Sequence, residues 1–115
     1  MYTIDRAIAI VRPNQPFADW VNSLPESAGE FTPLSEIRTD ATAYLLPEGD
    51  SSAELQATLR ELAEDIFVIE LEAWSRNPQT WPRKRDYAAF QKWFDVEIHS
   101  LVLDPFENEI FKEDF

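Results

Sequence analysis

Three residues late in the chain have the types and spacing to do chemistry. Asp95, Glu97 and His99 stand at alternate positions in the run "FDVEIHS". In a strand, positions i, i+2 and i+4 point to one face, so two carboxylates and an imidazole would converge. Such a trio suits a divalent ion of the manganese, iron or zinc kind. A carboxylate beside a histidine also suits general acid–base work. The opposite face argues for a plainer role. Val96, Ile98 and Val102 occupy it, which makes the odd-numbered face the solvent side of an amphipathic strand. The chain has one histidine and 22 carboxylates, so acidic neighbours of that histidine are expected by chance. The trio is read first as a polar strand edge. A small metal-dependent enzyme using Asp95, Glu97 and His99 is the alternative.

Other polar groups are candidates for binding rather than catalysis. "PRKRD" carries Arg83, Lys84 and Arg85 and is the one dense cationic patch. It stands at or before a helix start, where cations oppose the macrodipole. The chain's own acids are its nearest partners, and the patch is too short for nucleic-acid recognition. Residues 48–72 hold eight acids and one base, Arg60. Glu61, Glu64 and Asp65 crowd one predicted helix, and like charges at helical spacing repel by a few tenths of a kcal/mol per pair, about what an ion pair would gain. A solvated face tolerates that cost, and a docking surface for a basic protein exploits it. Trp20, Trp74 and Trp93 fit apolar helix faces and are expected in the core. Trp81 precedes Pro82 in a loop and is expected to be the partly exposed tryptophan, able to anchor an interface. The candidate protein-binding residues are therefore Glu61, Glu64, Asp65, Trp81, Arg83, Lys84 and Arg85. No G-x-S-x-G, Walker loop, dinucleotide fingerprint or H-E-x-x-H is present, so no catalytic, cofactor or metal residue is assigned.

Composition narrows the classes further. The chain has 115 residues, 44% of them hydrophobic, with four Trp and eight Phe. That fits one domain with a core of its own. It has no cysteine, which excludes disulfides and thiol chemistry. A net charge of −12 disfavours nucleic acid and anionic membrane as partners. No apolar run approaches a membrane span, and "MYTIDRAIAIVRP" lacks the basic and apolar regions of a signal peptide. A soluble cytoplasmic protein is the expectation.

The elements that must position these residues follow from periodicity and proline punctuation. Residues 3–12 read as a strand with an apolar centre, buried on both faces, with Ala7 and Ala9 on one side and Ile8 and Ile10 on the other. Asn14 and Pro16 start a short helix with Phe17, Trp20, Val21 and Leu24 on one face. Thr32 and Pro33 cap a single turn ending at Ile37. Residues 41–47 give a second strand. Ser51 and Glu54 form a capping box for a helix reaching about Trp74, with Leu55, Leu59, Leu62, Ile66 and Ile69 at helical spacing. A helix starting between Trp81 and Asp86 presents Tyr87, Phe90, Trp93 and Phe94. Val96, Ile98 and Val102 mark a third strand. Asp104, Pro105 and Glu107 suggest a short final helix.

The fold expected is α/β or α+β, a small three-stranded sheet in β-α-β-α-α-β-α order covered by helices, with parallel neighbours where one helix connects two strands. Residues 1–104 form the single globular domain and 105–115 an acidic tail or short helix. The expected core holds Ile8, Ile10, Leu45, Leu59, Leu62, Ile66, Phe90, Phe94, Ile98 and Val102. The pattern "RPNQPFADWVNSLP … ELEAW … WPRKRDYAAFQKWFDVEIHSLVLD" resembles a group of small acidic bacterial proteins of uncharacterised function. That resemblance implies a bacterial, single-domain, cytoplasmic protein and brings no catalytic residue with it. The functional expectation is a non-enzymatic protein-binding or regulatory module for a basic protein, of the immunity, inhibitor or DNA-mimic type.

Overall fold

The computed structural model describes residues 1–115 as an α+β fold. A strand pair, β1 (Tyr2–Thr3) with the last strand β5 (Leu103–Asp104), adjoins a three-stranded sheet of β2 (Arg6–Pro13), β3 (Thr42–Pro47) and β4 (Phe94–His99). Helices α1 (Gln15–Ser23), α2 (Leu34–Ile37), α3 (Ser52–Glu72) and α4 (Tyr87–Trp93) complete the fold, with 3-10 turns at Pro25–Ser27 and Pro78–Thr80.

β2 is central, and both neighbours pair with it antiparallel. This corrects the expected parallel pairing. The β2–β3 connection is no crossover: it leaves the sheet at Pro13 and returns at Thr42, opposite Val11, at the same end. It contains two helical pieces with a reversal between them. Ala28 and Gly29 make that reversal, both at positive φ (46° and 83°), a region open to glycine and costly for alanine. An out-and-back connection gives an antiparallel partner, whereas a single crossing gives a parallel one.

β2 alternates half-buried and buried residues along its whole length. Ala7, Ala9 and Val11 are the buried set, while Ile8 and Ile10 are only half-buried. The expectation of a strand closed on both faces is therefore wrong, as is the placing of both isoleucines in the core. Helices cover one side of the sheet only. They choose the alanine side because small residues let a helix come close while its aromatics fill the space above. Those aromatics form a cluster. Phe67 has its ring 6.4 Å from Phe90, 5.3 Å from Trp93 and 5.1 Å from Phe94, and Phe17 lies 5.4 Å from Phe94.

The same one-sidedness corrects β3. Leu46 is fully buried and Leu45 is 47% exposed, because adjacent strand residues face opposite ways. Ile98 and Val102 are half-buried, as is Leu62 on α3. Leu59, Ile66, Phe90 and Phe94 are buried as expected. Trp74 lies just past α3 and is 40% exposed, not in the core. The capping box forms in part: Ser51 Oγ accepts from the Glu54 amide at 3.2 Å, while the Glu54 carboxylate turns to the Asp50 amide at 2.8 Å. Segment 105–115 contains no helix. Asp104 Oδ1 accepts from the Phe106 amide at 2.9 Å, which closes a local turn instead of a first helical turn.

β1–β5 continues the β2–β4 ladder with a break in register. From the Thr3↔Leu103 pair to the Ile8↔His99 pair the first strand advances five residues and the second four. The first strand therefore carries one extra residue between the two pairings.

Candidate functional site

β4 presents Asp95, Glu97 and His99 on the uncovered face of the sheet, as the spacing predicts, opposite Arg12, Ile10 and Ile8 of β2. Each carboxylate is engaged by a different cation. Arg12 meets Glu97 at 3.1 Å, and His99 Nε2 meets the other Glu97 oxygen at 3.1 Å. Arg38 approaches Asp95 at 3.2 Å while donating to the Pro13 carbonyl and to Asn14 Oδ1. Asn14 Nδ2 in turn donates to Asp95 at 3.1 Å. Asn14 thus stands at the start of α1 without capping it by its side chain, because that side chain is committed to this network. The His99 contact, then the Arg12 charge, lowers the Glu97 pKa below the usual carboxylate range. No group of three acidic or histidine side chains is arranged around a common point where a metal ion would sit. The arrangement is a charge ladder along an exposed strand edge.

The candidate acids of α3 form a different surface. Glu61, Glu64 and Asp65 are exposed, and none has a cation within 4.0 Å. Glu54 and Glu72 lie on the same stripe at helical spacing. At 1.5 Å per residue the five carboxylates extend over about 27 Å. The stripe exists because Leu55, Leu59, Ala63, Ile66 and Leu71 turn the opposite arc into the core. Arg60 is on the same helix but places its guanidinium over the Tyr87 ring, 5.2 Å from the centroid, and leaves the acids uncompensated.

The cationic patch is divided by the fold. Arg83 and Lys84 are exposed, whereas Arg85 is half-buried, lies 5.8 Å from the Trp81 ring centre and donates to the Pro82 carbonyl at 2.8 Å. Trp81 packs against the core and donates its indole N–H to the Ser75 carbonyl at 2.8 Å. Trp20 makes the matching bond to the Thr80 carbonyl at 2.7 Å. Trp81 and Arg85 therefore hold the α3–α4 connection in place, and the structure does not bring the patch together with Glu61, Glu64 and Asp65.

A further polar group was missed from the sequence. Glu70 is half-buried between sheet and helix, where Tyr44 donates to it at 2.8 Å and Thr42 at 3.0 Å. Burial raises the Glu70 pKa against the opposing pull of those two hydroxyls. Burial first, then the Glu70 charge, raises the Tyr44 pKa far above its ordinary value. An adjoining cleft of about 250 Å³ is edged by Glu36, Asp40, Glu70 and Trp74. The signal was a glutamate between Phe67 and Leu71 on an otherwise apolar helix arc. Compared with protein-family models, curated proteins and solved structures, the chain gives no match.

Proposed function

We propose that this chain is a protein-binding module of a bacterial cytoplasm, whose α3 face docks a basic protein in the manner of an inhibitor or immunity protein. The observation that carries this reading is the stripe of carboxylates on α3 without a cationic partner, the one arginine of that helix being turned to the Tyr87 ring. A solvated face needs charge, but it does not need five acids in register. Concentrated charge of one sign steers an oppositely charged partner and raises its association rate by roughly 10 to 1,000-fold at low salt. The inhibitor form is favoured over the DNA-mimic form. Five charges over about 27 Å are far sparser than a duplex, which carries one per about 1.7 Å.

The test is affinity capture from the native cell followed by association kinetics with the captured protein. Glu61→Lys with Glu64→Lys should slow association about tenfold or more at low salt and leave the melting temperature nearly unchanged. An on-rate indifferent to salt and to both reversals would remove α3 as the docking face.

A further inference from the structure

Exposed apolar side chains are unevenly distributed on this molecule. Of eleven large hydrophobic residues in contact with solvent, eight lie at residues 1–2 and 101–115. Phe106, Ile110, Phe111 and Phe115 are 61% exposed or more, with Phe111 at 83%. None of them belongs to the core cluster or packs against it. Segment 105–115 makes no backbone–backbone hydrogen bond, and its other hydrogen bonds are two, Tyr2 to Glu107 at 3.3 Å and the Phe106 amide to Asp104. The fold gains little from this segment. Four large apolar residues held in water by a chain that does not need them for its core mark a surface meant for something else. The overall shape agrees. The radius of gyration is 15.9 Å, against about 13 Å expected of a compact chain of this length.

We infer that segment 105–115 is a docking arm that inserts Phe106, Ile110 and Phe111 into an apolar groove of another protein, a groove rimmed by lysine and arginine. The charge of the arm selects that occupant. Glu107, Glu109, Glu113 and Asp114 flank the apolar residues, with Lys112 as the single base. A second copy of this chain carries a net charge of −12 and meets the arm with like charge. The chain's own sheet is a poor seat. Ile110 and Lys112 come beside Ile4, Arg6 and Leu45, but a groove of about 250 Å³ stays open there, and Leu45 remains 47% exposed. Apolar anchors supply affinity, and the flanking carboxylates supply rate and orientation. The β1–β5 pair carries the arm. This inference stands on a different surface from α3 and holds even if the helix stripe binds nothing.

The test uses the full chain with Phe111→p-benzoylphenylalanine, irradiated in the native cell, and the cross-linked residue mapped by mass spectrometry. The expected result is an adduct in an apolar groove of another protein with Lys or Arg at its rim. Phe106→Ala with Ile110→Ala should abolish the adduct, and raising salt in a cell lysate should lower its yield about tenfold. The adduct should persist with Glu61→Lys and Glu64→Lys, whereas those reversals should slow binding at the α3 face. Removal of residues 105–115 should leave the melting temperature unchanged. A cross-link to Leu45 or another residue of the same chain, to a second copy, or to no protein overturns the inference. So does loss of the adduct in the α3 variant, or a truncated chain that fails to fold.

Discussion

Glu70 and His99 show how polar residues acquire different roles from their surroundings. His99 and Glu97 are exposed to water, and ion pairs of that kind are worth little. His99→Ala should leave the melting temperature unchanged, and calorimetric titration with zinc or manganese should show no sub-micromolar binding. Tight binding abolished by that substitution would revive the metal-enzyme alternative. Glu70 is the opposite case. Its pKa is raised by burial, so between the unfolded carboxyl value, about 4.3, and the raised folded value the native state holds the extra proton. Its contribution is fully present below the unfolded value and is lost as pH rises through the folded value. Glu70→Gln removes this titration and keeps an oxygen for Tyr44 and Thr42. It should be at least as stable as the parent at pH 7, with the gain disappearing below about pH 4. Glu70→Ala leaves two hydroxyls without their acceptor and should cost about 1 kcal/mol. Equal losses in the two variants at pH 7 would mean that Glu70 is held as a favourable charge. The ladder of Arg12, Asp95 and Glu97 was half legible beforehand. Spacing put the trio on one face, but Arg38, just past α2, reaches Asp95 from 57 residues away, and no local pattern announces that.

At the scale of elements, the face of β2 that goes inward determines the core. Ala7 and Ala9 are 1% and 0% exposed, under helices that come close because those residues are small. Ala9→Leu should therefore overpack the contact and cost about 1–3 kcal/mol, measured by urea denaturation. Ile10→Thr on the uncovered face should cost much less. Phe67→Ala opens the centre of the aromatic cluster and should cost about 3–5 kcal/mol. Leu62→Ala, at a half-buried site, should fall below the roughly 2–5 kcal/mol of a closed site. A larger loss at Leu62 than at Phe67 would mean that α3 is rotated about its axis from the orientation described. The sequence misplaced these residues for one reason. Alternation and helical spacing give the phase of an element relative to itself, while the face that is covered depends on where other elements lie.

At the scale of the molecule, charge and shape combine. The α3 stripe and the 105–115 arm both place uncompensated carboxylates in water on a chain of net charge −12. Self-repulsion of this kind opposes the compact state and is screened by salt, with a Debye length of about 30 Å at 0.01 M and about 8 Å at 0.15 M. The melting temperature should rise between those two ionic strengths. A fall would mean that the ion pairs of Arg12 and Arg38 outweigh the repulsion. The same screening should weaken partner association, so stability and binding should respond to salt in opposite directions. Few folded-state contacts predict that signature, which makes it a test of the whole-surface argument.

Features that depend on neighbours a few residues away were legible in the chain. Ser51 capping α3, the apolar faces of α1 and α3, and the shared face of Asp95, Glu97 and His99 all follow from local spacing, because turn, cap and periodicity are short-range physics. The antiparallel sheet, the choice of Leu46 over Leu45 and of the alanine face of β2, the exposure of Trp74, and the absence of a helix after Asp104 depend on long-range packing. Each of these turns on what lies across from a segment, not along it. A helix signal such as Asp104–Pro105 gains little stability without a surface to bury its apolar side chains, and here Phe106, Ile110 and Phe111 stay 61% exposed or more.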